Sequence, residues 1–195
     1  MKYFAITPDE LSPTELSLYL PVLQKRAVTH LYLRTPRLHA TLEKFIALIL
    51  QHEIIPIIPR SLHQTPISSG CGMHTRSNEN FDSQINPSSI IQTAACHNAE
   101  AACTLLDKGA DYVFISPVYR PFSKPADQRS LLAPDALRML SRRYGPRIVL
   151  LGGLTPKRIK DLCTMLRADF SVAGISMFFN TDNTHEQTPH ADIYQ

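Results

Sequence analysis

Short apolar runs recur along the whole chain, and polar or helix-like segments separate them. The strongest run covers residues 112–118, which are rich in β-branched and aromatic side chains and show no polar alternation before Ser116. Such a run predicts a strand that is buried on both faces, as in a parallel sheet. Further apolar runs predict strands over 2–7, 30–34, 54–58, 71–75, 90–96, 147–151 and 170–175.

Apolar residues at helical spacing fill most of the intervals between these runs. The clearest amphipathic helix is predicted over 38–52, where the apolar positions form one stripe. Thr14 is the predicted N-cap of an earlier helix, which Pro21 should shorten or kink. Three later helices are predicted over 98–108, 134–144 and 156–166.

Eight strands that alternate with helices or loops predict a single (β/α)8 barrel, a TIM barrel of the α/β class. The segments after the third and fourth strands carry few helical signals, so we expect degenerate helices there and a short last helix. An open flavodoxin-like sheet is the alternative architecture. The barrel is predicted to cover residues 1–178, and residues 179–195 are predicted to form a polar C-terminal tail.

The composition is that of an ordinary globular chain, with 44% hydrophobic residues, 19% charged residues and a formal net charge of +3. So small a charge, with scattered basic residues, argues against a nucleic-acid partner. No apolar stretch reaches the roughly 20 residues that a membrane span needs. The four cysteines lack a CxxC spacing and lie in apolar surroundings. They are therefore predicted to be buried thiols in a reducing, cytoplasmic compartment.

Glycines at the ends of the last two strands indicate a phosphate site. Gly152 and Gly153 follow the seventh strand, and Gly174 and Ile175 end the eighth. Exposed backbone N–H groups bind phosphate, and barrels often place a phosphate site after strands seven and eight. A tight turn is the plainer explanation of the Gly-Gly pair.

Cationic side chains follow several of the predicted strands. Ser123 and Lys124 lie in the loop after the sixth strand, where the ammonium could neutralise a phosphate. Arg34 ends the second strand and Arg60 follows the third, and arginines in these places can bind substrate anions. The plainer alternatives are a solvated loop lysine and arginines paired with carboxylates.

Two histidines and two acids complete the candidate residues. His74 and His97 are candidate ligand-binding groups, although a hydrogen-bonded structural role is the commoner one for such histidines. Glu79 and Asp82 are the acids best placed to bind Mg²⁺ after the fourth strand. Plain solvent exposure is the alternative in so polar a loop.

Six segments, in this order and spacing, resemble thiamine phosphate synthases and their thiazole tautomerase (TenI) relatives over about residues 2–178. The resemblance implies a (β/α)8 barrel. In the synthases it implies condensation of hydroxymethylpyrimidine diphosphate with thiazole phosphate, which releases pyrophosphate with the help of Mg²⁺. In the tautomerases it implies isomerisation of a thiazole phosphate carboxylate. The matching segments are 30–34, 72–74, 96–98, 109–119, 123–124 and the LGGLTP motif at 151–156.

The match to this family is incomplete in the half that would hold the pyrimidine diphosphate. The strand-two motif keeps Arg34 but has Tyr32 for the glutamine and Pro36 for the lysine, whose charge Arg37 could replace. The Asn-Asp-Arg motif after the third strand becomes Ile-Pro-Arg at 58–60, so one metal-binding aspartate is missing.

The sequence also departs from the family's motifs on later strands. The second metal aspartate of the family falls near Glu79, which the resemblance implies as a Mg²⁺ ligand. Ala95 replaces the serine that contacts the pyrimidine, and Pro117 occupies the place of the tautomerase histidine. The Thr-x-Thr-Lys loop keeps one hydroxyl and the lysine, in Ser123 and Lys124. The half that would bind thiazole phosphate matches the family's motifs more closely than the pyrimidine half does.

The sequence therefore predicts a transferase of the thiamine phosphate synthase type with an incomplete metal and pyrimidine site. Lys124, Ser123 and Arg34 would meet pyrophosphate, while Gly152 and Gly153 would hold thiazole phosphate. A barrel that binds thiazole phosphate without catalysis, as a carrier or regulator, is one alternative, and a thiazole tautomerase is another. The expected partners are phosphorylated thiazoles and pyrimidines, and the sequence leaves homo-oligomer formation open.

Overall fold

Eight parallel strands close into a barrel in the order of the chain. The computed structural model describes residues 1–34, 41–62, 70–82, 90–120 and 128–179. Each strand pairs with the next, and β8 pairs with β1, with Tyr3 opposite Val172. The strands are β1 (Tyr3–Ile6), β2 (Val28–Tyr32), β3 (Ile55–Pro59), β4 (Gly72–Thr75), β5 (Gln92–Cys96), β6 (Tyr112–Ile115), β7 (Ile148–Leu151) and β8 (Ser171–Gly174).

Helices pack around the outside of this barrel. Short 3₁₀ turns cover Arg60–Leu62 after β3 and Gly145–Arg147 before β7. Each described helix is at most 13 residues long, and none is long and apolar enough to span a membrane. The helices are α1 (Pro13–Lys25), α2 (Leu42–Leu50), α3 (Ala99–Asp107), α4 (Pro134–Tyr144), α5 (Pro156–Leu166) and α6 (Ser176–Phe179).

The closed barrel confirms the predicted (β/α)8 fold and excludes the open flavodoxin-like sheet, because an open sheet would leave β1 and β8 unpaired. The helices expected to be degenerate are so in the described residues: a single 3₁₀ turn follows β3, and residues 76–82 after β4 are not helical. The predicted short last helix is α6, whose Phe178 and Phe179 are buried. Of the predicted polar tail, residues 180–195 lie outside the described part of the chain.

The start of α1 differs from the prediction. Its N-cap is Ser12 and not Thr14, because the Ser12 hydroxyl accepts the N–H of Glu15 while the Glu15 carboxylate accepts the N–H of Ser12. Pro21 does not end the helix, which continues to Lys25. Pro21 and Ser17 are both exposed, so water can bind the Ser17 carbonyl that the proline leaves without its usual partner.

Strand β6 is shorter than predicted, because it ends at Ile115 and not at 118. Pro117 has no N–H to give to a ladder. Beyond it the chain bonds again to the end of β7, the strand next to β6: the N–H of Val118 donates to Leu151 and that of Tyr119 to Gly152. The segment after β6 is therefore attached to the loop after β7.

Aromatic and imidazole rings fill the inside of the barrel. His30 is 1% exposed and stacks on Phe4 at 4.3 Å between ring centroids. His74 lies between Tyr32 and Phe114, at 4.4 and 5.2 Å. Burial lowers the pKa of His30 to about 4 and that of His74 to about 3, so both rings are neutral at neutral pH.

Candidate functional site

A cavity of about 140 Å³ opens at the carboxyl ends of β7 and β8, and we refer to it as the β7–β8 cavity. Two guanidiniums, from Arg34 and Arg129, face it together with the hydroxyl residues Ser116 and Ser176. Its volume is below the about 300–1,000 Å³ of a whole small-molecule site, so it suits one group of a ligand. The other lining residues are Pro117, Leu151, Gly152, Gly153, Leu154, Ala173, Gly174, Ile175 and Met177.

The two glycines after β7 allow the backbone to pack closely against the segment after β6. Gly152 and Gly153 have φ values of +107° and +59°, which disfavour other residues. A Cβ at Gly152 would lie 3.1 Å from Cα of Pro117, and one at Gly153 would collide with the carbonyl oxygen of Arg120. The tight-turn explanation is therefore confirmed, and the same small residues leave backbone open to the cavity.

Arg34 reaches the β7–β8 cavity from the end of β2. Its backbone N–H donates to the buried Thr7 hydroxyl at 2.9 Å, which fixes the strand end. Its guanidinium lies 2.8 Å from the Asp9 carboxylate, and the side chain is 32% exposed. The predicted alternative of an arginine paired with a carboxylate is thus present, and the same guanidinium still lines the cavity.

Arg129 reaches this cavity from the chain between β6 and α4, and it contacts His97. Nη1 of Arg129 lies 3.0 Å from Nδ1 and 3.2 Å from Nε2 of the imidazole. Nδ1 of His97 also lies 2.8 Å from the Ser116 carbonyl oxygen. His97, Ser116 and Arg129 therefore join the ends of β5 and β6 to the rim of the β7–β8 cavity.

A second cavity, of about 500 Å³, lies between the ends of β4 and β5 and helix α3. His97 lines it, as do Arg76 and Glu79. The Glu79 carboxylate accepts the backbone N–H of Arg76 at 2.9 Å. Burial raises the pKa of Tyr32, and a hydrogen bond between Tyr32 and the Arg76 guanidinium partly offsets that rise. A third guanidinium therefore lies at the strand ends, close to the barrel interior.

Two further candidate residues, His74 and Arg60, do not line either cavity. His74 lies in the barrel interior, where its Nδ1 is 2.8 Å from the Thr93 hydroxyl. Arg60 donates to the backbone carbonyl of Asn80 and so ties the turn after β3 to the loop after β4. Ser123 and Lys124 lie outside the described residues, as does Arg37 of the strand-two motif.

The side chains at the strand ends fit an anion better than Mg²⁺. Within the described ranges, no three His, Cys, Asp or Glu side chains come together as a metal-binding group. Asp9 is paired with Arg34, and Glu79 already accepts a backbone N–H. Mg²⁺ is bound through carboxylates and phosphates, whereas guanidiniums bind phosphates directly. The described side chains at the strand ends therefore do not form a Mg²⁺ site.

Arg129 is the residue of this site that inspection of the sequence missed. The cations predicted for the loop after β6 end at Lys124. The signal was a further basic residue before α4 in the same loop, which has to start at the mouth of the barrel.

A family model described as thiamine monophosphate synthase matches residues 76–180. The candidate thiamine-phosphate synthase 2 of Aquifex aeolicus is 33% identical over 95 residues, which cover 49% of this chain and 48% of that protein. The thiamine-phosphate synthase of Geobacillus kaustophilus is 38% identical over 74 residues, covering 37% of this chain and 33% of that protein. The matches thus span about half the length of these curated relatives or less.

Two solved structures share the fold over most of the chain. The thiamine phosphate pyrophosphorylase of Pyrococcus furiosus superposes with a TM-score of 0.67 at 16% identity, over 90% of this chain and 85% of its own. The thiamine phosphate pyrophosphorylase of Bacteroides thetaiotaomicron superposes with a TM-score of 0.65 at 17% identity, over 96% and 89%. At such identity the likeness concerns the fold alone.

Proposed function

This chain belongs to the thiamine monophosphate synthase family, and on that premise we propose that it is a transferase of the thiamine phosphate synthase type. The proposed reaction joins hydroxymethylpyrimidine diphosphate to thiazole phosphate and releases pyrophosphate. The observation that supports it best is the β7–β8 cavity, where Arg34 and Arg129 face two glycine-containing strand ends. Cationic side chains and accessible backbone N–H groups are what a phosphate group requires.

The residues that follow the strands have separable tasks in this proposal. Gly152, Gly153 and Gly174 let the backbone approach the phosphate of the thiazole. Arg34, together with Lys124 and Ser123 of the loop after β6, binds the pyrophosphate that leaves. When the carbon–oxygen bond to pyrophosphate breaks, negative charge develops on the leaving group, and fixed cations lower the free energy of that transition state.

The test is an assay of purified protein with both substrates, in the presence and in the absence of Mg²⁺. Formation of thiamine phosphate above the uncatalysed background is the expected result. Formation no faster than background under both conditions would end the proposal. Mass spectrometry of the product distinguishes thiamine phosphate from hydrolysed substrate.

A barrel that binds thiazole phosphate without catalysis is the second candidate. The observation that favours it is the missing metal-binding aspartate: Ile58 and Pro59 stand before Arg60, where the family has Asn and Asp. Ala95, which replaces a substrate-binding serine, points the same way. Calorimetry separates the candidates, because a carrier or regulator binds thiazole phosphate without needing Mg²⁺ and shows no turnover. Failure to bind any phosphorylated thiazole would remove this candidate.

A thiazole tautomerase has less support. Isomerisation needs a group that moves a proton, and Pro117 stands where the tautomerases have their histidine. His74 is neutral and enclosed in the barrel interior, with its pKa lowered to about 3. His97 is at the mouth, where the Ser116 carbonyl and Arg129 already contact its ring nitrogens. A proton-exchange assay on a thiazole phosphate carboxylate would test it directly.

A further inference from the structure

We propose that Arg158 is a positioning residue, which holds the turn after β7 in the orientation that lets its backbone N–H groups bind phosphate. Residues 151–154 form this turn, and we refer to it as the glycine turn. The inference rests on the proposed function for the ligand, since a phosphate group is what the β7–β8 cavity is proposed to bind. Arg158 lies in the first turn of α5 and does not line that cavity, so it would act through the glycine turn and not by contact with a ligand.

Three consecutive carbonyl groups of the glycine turn each accept a hydrogen bond from elsewhere in the chain. Those of Leu151 and Gly152 accept backbone N–H groups of the segment after β6, at 3.0 and 3.1 Å. That of Gly153 accepts from Nη1 of Arg158. Arg158 therefore completes a set of bonds of which the segment after β6 makes only the first two.

Bound carbonyl groups fix the direction of the N–H groups on the same peptide units. The peptide bond is planar and trans, so its C=O and N–H point in opposite directions. Because the carbonyls of Gly152 and Gly153 are held, the N–H groups of Gly153 and Leu154 point away from the groups that hold them. Both residues line the β7–β8 cavity, and among the described residues neither N–H has a backbone acceptor. These two N–H groups are the donors that the turn offers to an anion.

Glycine makes this turn easy to reorient, so a restraint from outside the turn matters. Gly152 and Gly153 have positive φ and lack a Cβ, so the peptide units beside them rotate at lower cost than those of other residues. Arg158 is itself held at both ends. Its N–H donates to the Thr155 hydroxyl at 3.2 Å, and its guanidinium carbon lies 4.7 Å from the centroid of the Tyr119 ring. The Gly153 carbonyl is therefore fixed before a ligand arrives, which lowers the cost of binding.

The place of this cation in α5 supports the same role. The helix begins at Pro156, and a positive charge in its first turn opposes the helix dipole. The half-buried Arg158 thus does not stabilise the helix by its charge. Its contacts with a carbonyl and an aromatic ring, both outside α5, give it a different task.

Phosphate binding followed by NMR tests the proposal. We expect inorganic phosphate to shift the amide signals of Gly153 and Leu154 in wild-type protein. Arg158→Met keeps a long side chain but removes the donor and the charge. It should weaken phosphate binding roughly 10-fold, the effect of losing one hydrogen bond to a charged group, and should reduce both shifts. Arg158→Lys keeps a donor for the carbonyl but not the planar group that stacks on Tyr119, so its affinity should fall between.

Two controls separate positioning from a general effect of charge. Lys157→Met removes the same charge from the same helical turn, where Lys157 is exposed, and should change phosphate affinity by less than about twofold. Tyr119→Leu removes the ring beside the guanidinium. It should weaken binding in wild-type protein and have little effect in the Arg158→Met background, because the two side chains act together. Thermal unfolding verifies that each variant is folded, and Arg158→Lys carries the test if the methionine variant is not.

Three results would overturn the inference: wild-type phosphate affinity in Arg158→Met, an equal loss of affinity in Lys157→Met, or phosphate-induced shifts that leave out Gly153 and Leu154. The proposed function fails separately, because it depends on the formation of thiamine phosphate. Phosphate binding at the glycine turn of a protein without synthase activity would support this inference and end that proposal. In an active enzyme, Arg158→Met should raise the KM for thiazole phosphate and leave the KM for hydroxymethylpyrimidine diphosphate unchanged.

Discussion

The buried His30 should make the barrel sensitive to acid, and its contribution can be isolated. The ring is 1% exposed, stacks on Phe4 and lies edge-on to Tyr112 at 5.5 Å. Burial, with a smaller effect of the Lys2 ammonium, lowers its pKa from 6.5 to about 4. The unfolded chain therefore binds more protons than the folded one between these pH values, so the free energy of unfolding falls as pH falls.

The size of the effect follows from the two pKa values. Each pKa unit corresponds to about 1.4 kcal/mol, so the full shift of His30 is worth about 3 kcal/mol. Most of this, about 2.5 kcal/mol, should be lost between about pH 7 and about pH 4.5, above the folded pKa. His74 adds a further loss in the same direction, since its pKa is lowered to about 3.

The assay is urea denaturation of wild-type protein and His30→Phe at several pH values. The phenyl ring keeps the stack on Phe4 but cannot be protonated. Wild-type protein should therefore lose about 2.5 kcal/mol of unfolding free energy relative to His30→Phe when the pH falls from about 7 to about 4.5. His74 is present in both proteins and cancels. His30→Leu, which lacks a ring, should be less stable throughout yet show the same flatter profile. Parallel profiles for wild type and His30→Phe would refute the reasoning.

Three further outcomes are expected. Gly153→Ala should cost about 1–3 kcal/mol more stability than Gly145→Ala, because both glycines have similar positive φ but only the first Cβ meets the Arg120 carbonyl; equal losses by urea denaturation would show that this approach is unimportant. Lys124→Ala should weaken pyrophosphate binding by about 1.5–3 kcal/mol without lowering the melting temperature, and unchanged affinity by calorimetry would remove its proposed role. Cys96, whose pKa burial raises to about 12, should resist thiol reagents at about pH 8 until the protein unfolds, whereas rapid labelling of Cys96 itself in native protein, located by peptide mass spectrometry, would contradict its burial; Cys103 and Cys163 are only partly buried.

Local signals in the sequence were enough to place several helices. The helices over 134–144 and 156–166 were predicted at the bounds observed, because proline in the first turn sets where each begins. In the second, the Thr155 hydroxyl also accepts the N–H of Arg158, three residues away. Signals of this kind act within one helical turn, so they can be read without knowing the fold.

In other places, the end of a secondary-structure element depended on hydrogen bonds to residues far away along the chain. The apolar run over 112–118 indicated a longer strand than β6, because periodicity reports burial and not hydrogen bonding. The segment after Ile115 is buried as predicted at Val118, but pairing with β7 stops at Ile115 and resumes only at Val118 and Tyr119, whose N–H groups bond to the end of β7, more than 30 residues away. Only the tertiary structure could show where this pairing is interrupted.

The candidate site likewise contains residues that the sequence could predict and properties that only the structure could show. Glycines and Arg34 at strand ends could be found from the sequence, because a parallel barrel gathers the carboxyl ends of its strands at one mouth. The sequence also indicated His74, although it could not show that this side chain points into the barrel interior and stays neutral.

The sequence by itself determined the alternation of strands and helices and the family resemblance, and it predicted a phosphate site at the ends of the last two strands. Closure of the barrel decided the rest: Arg129 meets His97 across 32 positions of the chain, and His97 in turn bonds to the Ser116 carbonyl. Contacts of this kind leave no periodic pattern, because they arise from where loops end in space and not from which face of an element is buried.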